Sequence, residues 1–168
     1  MITNSWETIA PMSTRRCTAN SIVFGGKVYV FGGYYGAGRV REVERYNESL
    51  DVWELVQLNL KYPIEASLLF SLSDKEVLLL GGKDQYNQTS YATVYDLENC
   101  DIDQIQPMSS PHILSKGAKY MNRIVCFGGS TNNVFEYLDL PSNEWKKFPV
   151  IELTEARLFG RIAYAQGK

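Results

Sequence analysis

Short uninterrupted apolar runs recur along the chain, and each ends on a pair of glycines: Val28-Tyr29-Val30-Phe31-Gly32-Gly33, Val77-Leu78-Leu79-Leu80-Gly81-Gly82 and Ile124-Val125-Cys126-Phe127-Gly128-Gly129. A run that does not alternate apolar with polar residues predicts a strand buried on both faces, sandwiched between neighbouring sheets. Asp51 to Gln57 alternates instead, and predicts an outer strand with one face on the next sheet and one in water. In the best-defined unit the pattern divides into four stretches, 67–71, 77–80, 92–97 and about 102–105, separated by turn-forming residues. The expected class is all-β, built from four-stranded antiparallel meanders.

The units keep phase. Gly32, Gly81 and Gly128 are separated by 49 and then 47 residues. Trp6, Trp53 and Trp145 are separated by 47 and then 92, and Ile102 stands in the vacant slot between the last two. A tyrosine precedes each later slot by seven or eight positions, as Tyr46, Tyr95 and Tyr137. Pro11-Met12 and Pro107-Met108 follow Trp6 and Ile102 at a matching offset. A period near fifty is the signature of a propeller-type array.

The ordered series Gly-Gly, Tyr, Trp, Pro-Met resembles the kelch repeat over essentially the whole chain. That resemblance implies a kelch-type β-propeller with three complete four-stranded blades at 16–58, 59–106 and 107–150. Partial blades are expected at 1–15 and 151–168, all within one propeller region. Gly32, Gly33, Gly81, Gly82, Gly128 and Gly129 are expected to take positive φ or admit close neighbours at the exit of each second strand. Tyr46, Tyr95, Tyr137, Trp6, Trp53 and Trp145 are expected to pack between blades. The WD40 array fits less well, because its Gly-His and Trp-Asp signatures are absent here.

Both ends of the chain read as parts of blades. Ser5–Ile9 matches a fourth strand and is expected to act as a clasp, while Arg157–Lys168 matches Arg16–Lys27, a first strand and its turn. The expectation is an arc of a larger ring, or a chain that associates with itself through open blade edges.

Composition narrows the partners. Seventeen Lys and Arg against nineteen Asp and Glu give a net charge of −2, so no broad basic field exists to gather nucleic acid or anionic lipid. No apolar run reaches the length that spans a bilayer, and no basic-then-apolar leader opens the chain; the reading is cytoplasmic, with a nuclear location also compatible. On that reading the sequons at Asn47 and Asn87 are chance matches. Cys17, Cys100 and Cys126 are too widely spaced for a zinc site and odd in number, and are expected to be free, buried thiols.

Catalytic signatures fail one by one. The single histidine, His112, has no nucleophile beside it and is read as a solvated loop residue. Gly36-Ala37-Gly38 has neither the Lys-Ser/Thr pair nor the helix of a phosphate loop. Asp96 with Glu98, and Asp101 with Asp103, fall in turn regions that suggest solvated carboxylates. Glu152–Arg157 is too short for a partner helix. No cofactor, metal site or catalytic residue is assigned.

In a meander, the loop after strand two emerges on the same rim as the connection into the next blade. That rim carries loops of unequal length, while the opposite rim has tight turns at Gly26-Lys27, Lys75-Glu76 and Asn122-Arg123. Tyr and Arg, enriched at binding hot spots, collect on the loop-bearing rim. The residues expected to face a partner are Arg15, Arg16, Tyr34, Tyr35, Arg39, Arg41, Lys83, Tyr86, Asn87 and Asn132. The resemblance implies a non-catalytic module that binds a protein or peptide, as in ubiquitin-ligase substrate adaptors or cytoskeletal binders. The alternative is a fragment of a kelch-type enzyme, a sugar isomerase or an oxidase, with catalytic groups in other blades.

Overall fold

The computed structural model describes residues 5–129 and 134–148. Twelve strands form three four-stranded antiparallel sheets. The first contains β1 (Asn20–Phe24), β2 (Lys27–Phe31), β3 (Glu42–Asn47) and β4 (Val52–Asn59). The second contains β5 (Leu68–Ser71), β6 (Glu76–Leu80), β7 (Ala92–Asp96) and β8 (Ile102–Gln104). The third contains β9 (Lys116–Tyr120), β10 (Arg123–Phe127), β11 (Phe135–Asp139) and β12 (Glu144–Lys147). Each sheet is a meander in chain order, and β5 touches both β1 and β9 across sheets, so these first strands are the innermost. This is the all-β arc of four-stranded meanders that the periodicity predicts, in the order that the resemblance implies.

Pairing register defines equivalent positions. Val30 faces Glu44, Leu79 faces Thr93 and Cys126 faces Glu136. One face of each sheet packs on the opposite face of the next. Tyr29, Phe31, Val43 and Leu58 of the first sheet bury Val77, Leu79 and Tyr95 of the second. Leu68, Leu78, Leu80 and Ala92 of the second then bury Ile124, Cys126 and Leu138 of the third. The non-alternating β2, β6 and β10 are central strands in these stacks, which is why both their faces need apolar residues.

Three features correct the sequence expectations. Ser5–Ile9 forms no strand, and Trp6 is fully exposed instead of packed. Among the described residues that segment has no ladder to join, and a lone extended chain cannot pair its own backbone. In the third sheet, Trp145 pairs with Leu138, as Trp53 pairs with Tyr46 and Ile102 with Tyr95. Tyr137 therefore stands one position off the series, on the opposite face, where it meets Phe148 and the Arg123 guanidinium 4.6 Å from its ring centre. In β4, a bulge opposite Glu42–Glu44 shifts the alternation, turning Val56 and Leu58 inward and leaving Leu55 in water.

The glycine pairs act at the seams. Gly32 has φ +59° and Gly81 φ +61°, and a Cβ on either would lie 2.3 Å from the carbonyl oxygen of Ile64 or His112 in the following connection. That approach lets the next glycine donate across the seam, Gly33 N–H to Ile64 O at 2.8 Å and Gly82 N–H to His112 O at 2.6 Å. A second backbone seam runs nearer the inner strands. Thr18, Ala66 and Leu114 all take positive φ, at 51°, 53° and 53°. Ala66 N–H donates to Thr18 O, and Leu114 N–H donates to Ala66 O.

Candidate functional site

The connections between sheets and the loops after the glycine pairs are tied together by main-chain bridges, Cys17 to Tyr34 and Glu65 to Lys83. They therefore form one rim, as the parity of the meander requires. Residues along this rim divide into those locked into the scaffold and those left free for contact.

Arg16 belongs to the first group, which corrects its assignment as a partner-facing residue. Its side chain is buried, paired with the buried carboxylate of Glu44, and donates to Gly32 O at 3.0 Å and Glu42 O at 3.1 Å. Glu44 also accepts Ser13 N–H at 2.8 Å. His112 occupies the same place in the third sheet. It is fully buried, not a solvated loop residue, with Nδ1 2.9 Å from Gly128 O and Nε2 2.9 Å from Glu136 Oε1. Glu136 accepts Ser109 N–H at 2.9 Å, completing the match. Burial opposes the charged form of Glu136, but bonds from His112 and Ser109 outweigh it and hold the carboxyl below its usual range.

The second sheet uses an uncharged version. Ile64 and Thr93 take the cation and carboxylate positions, and the Tyr95 hydroxyl accepts Lys61 N–H at 3.1 Å. Both charges are absent together, so neither is left buried and unpaired. In sequence, the signal was a basic residue five positions after Pro11 or Pro107, followed 28 or 24 residues later by a strand glutamate, Glu44 or Glu136.

Other rim cations are also engaged. Arg39 pairs with Glu65 at 2.6 Å, and Arg41 donates through Nε to Leu60 O. Tyr34 is half-buried and its hydroxyl donates to Gly36 O at 2.7 Å. Lys83 is half-buried, with its backbone bridged to Glu65. The Asp84 carboxylate, unremarked in the sequence, accepts Tyr86 N–H and Asn87 N–H, each at 2.8 Å. That turn projects Tyr86 and Asn87 into water. Asn132 lies outside the described residues, as do Glu152–Arg157 and the 157–168 match.

Arg15, Tyr35 and Tyr86 are exposed on this rim. Arg15, Cys17, Tyr34, Tyr35 and Gly36 line a shallow groove of about 400 Å³, with Arg16 in its floor. Cys17 is exposed, Cys100 half-buried and Cys126 buried, so burial holds fully for one thiol of the three. Burial pushes the Cys126 thiol strongly upward, which leaves it inert. No group of three or more His, Cys, Asp or Glu is placed to hold a metal among the described residues, and no helix there is long and apolar enough to cross a membrane.

The aromatic markers between sheets repeat in detail. Trp53 Nε1 donates to Ala10 O at 2.9 Å, and Trp145 Nε1 to Gln106 O at 2.8 Å, each the carbonyl just before a Pro-Met pair. The Tyr46 hydroxyl donates to Asp51 at 2.6 Å, which makes it a weaker acid, its pKa pushed up to about 12.

Comparison with known proteins agrees with this architecture. The family model described as the kelch motif matches residues 15–57. Kelch-like protein 25 of Rattus norvegicus is 33% identical over 54 residues, which are 32% of this chain and 9% of that protein. Kelch-like protein 23 of Homo sapiens is 40% identical over 55 residues, which are 32% of this chain and 10% of that protein. The matched stretch thus spans about a tenth of these relatives. A solved structure, that of YjhT, superimposes with a TM-score of 0.79 at 13% identity, covering 89% of this chain and 56% of the other. At that identity the likeness is one of fold.

Proposed function

Because the chain is built of kelch repeats, we propose that it is a non-catalytic interaction module whose loop-bearing rim receives a protein or peptide. The observation that carries this reading is the division of labour on the rim. Arg16 and Arg39 spend their guanidinium groups inside the chain and Arg41, though exposed, is tied through Nε to Leu60 O, while Arg15, Tyr35 and Tyr86 stand free on loops that the bridges hold in place. Large amphipathic aromatics on a rigid frame lose little entropy on contact, and Tyr35 lines a groove with apolar walls and a cationic edge at Arg15. The reading extends to substrate recognition for a ubiquitin ligase or to attachment on the cytoskeleton, in a cytoplasmic or nuclear setting.

Panning a random-peptide library against the chain tests the site. Enriched peptides are expected to lose binding to the Arg15→Ala, Tyr35→Ala, Tyr86→Ala triple variant, with thermal stability unchanged. Peptides that bind the triple variant as well as the parent chain would overturn the rim as the binding surface.

A further inference from the structure

The two sheet-to-sheet interfaces inside the chain show what each face of a sheet is made to meet, and the first sheet leaves its own face of that kind uncovered. By strand register, Val28 corresponds to Val77 and Ile124, and Tyr46 to Tyr95 and Leu138. Val77 and Ile124 are wholly buried and Tyr95 and Leu138 are 1% exposed, because a preceding sheet lies on them. On the first sheet, Val28 is 37% exposed, Val23 70% and Leu55 57%, with Tyr46 half-buried. At Val28 and Tyr46, whose counterparts are twice covered by another sheet, this face is built for a sheet; Val23 and Leu55, whose counterparts Ser71, Lys119, Gln104 and Lys147 keep access to water, widen the apolar patch around them.

The third sheet carries the complementary face. Ala118 and Tyr120 correspond to Ile22 and Phe24, and Phe135 to Val43, residues with which the first sheet covers the second. Ala118, Phe135 and Tyr137 are half-buried there, and Tyr120 is 37% exposed. The arc from the first sheet to the third also superimposes on just over half of the YjhT chain.

We propose that a second copy of this chain docks head to tail, its third sheet covering Val28 and Tyr46 of the first sheet. The contact repeats the internal interface between adjacent sheets. Two arcs, each worth about half a ring, bring both pairs of faces together, so the assembly closes as a dimer and does not extend into a filament.

Sedimentation velocity over a concentration series tests this. The chain is expected to shift from a monomer to a dimer boundary as concentration rises. Val28→Asp on one face and Tyr120→Asp on the other should each abolish that shift, while circular dichroism keeps the β signature. Mixing the two variants leaves one intact pair of faces, so a mixed dimer is expected. A monomer at every concentration, or a Val28→Asp variant that still dimerises, overturns the proposal. Failure of the two folded variants to form a mixed dimer overturns the head-to-tail arrangement.

Discussion

The Nε2 of His112 lies 2.9 Å from Oε1 of Glu136, in the place that Arg16 and Glu44 fill two sheets earlier. Both pairs are buried, both carboxylates also accept a serine amide, and both basic side chains reach the carbonyl of the first glycine of a pair. The two latches differ mainly in the basic residue that faces the carboxylate.

Arg16 therefore predicts what His112 variants do. His112→Ala leaves a buried carboxylate without its partner, and removing one member of a buried pair costs about 3–5 kcal/mol. His112→Arg supplies the group that already fits this slot in the first sheet, and is expected to recover most of that loss. Thermal unfolding of both variants checks the ordering; an arginine variant no more stable than the alanine one would contradict the equivalence.

Acid is expected to loosen the third sheet. Glu136 is held below its usual range in the folded chain, so its contribution is present above the unfolded-state value and is lost as pH falls through the carboxylate range. The carboxyls of Asp51, Asp96 and Asp139, which water reaches, shift in the same direction, through hydrogen bonds from Ala10, Asn99 and Ser142 respectively. Their share is screened by salt, whereas that of buried Glu136 is not. Melting curves at high ionic strength should therefore retain a loss of stability on acidification, and Glu136→Gln should flatten it.

Gly81→Ala is expected to destabilise more than Gly36→Ala. Both glycines have positive φ, a conformation that costs an ordinary residue about 1–3 kcal/mol. At Gly36 a Cβ meets nothing within 4 Å, while at Gly81 it meets the His112 carbonyl that holds the seam. A lower chemical-denaturation midpoint for Gly81→Ala than for Gly36→Ala checks this order.

Much of this architecture was legible in the sequence because the markers are residues whose chemistry has few uses. A glycine pair after a non-alternating run admits a foreign carbonyl, and an indole beyond a hairpin finds one. Where chemistry is shared, the reading slipped. Tyr137 sits eight residues before Trp145, not seven, and an aromatic on either face of a strand looks the same in one dimension. Arg16 and His112 fall in loop-like stretches, and their burial comes from Glu44 and Glu136, more than twenty residues further along the chain. Trp6 shares the phase of Trp53 and Trp145 yet has no described sheet to lean on.

That last contrast is measurable. Trp53→Phe removes the bond to Ala10 O, and Trp145→Phe the bond to Gln106 O. Each is expected to lower stability by about 1 kcal/mol. Trp6→Ala, on a fully exposed side chain, should stay within about 0.5 kcal/mol of the parent. Equal losses at all three positions would show that Trp6 is packed after all.

Thr18, Ala66 and Leu114 stand in one backbone conformation and share one chain of amide-to-carbonyl links, although their side chains have a hydroxyl, a methyl and an isobutyl group. The stitching beside the inner strands is thus indifferent to which side chain sits on it. The cavity of about 140 Å³ that those residues border can be relined, in polarity or in bulk, without unpicking the stitches between neighbouring sheets.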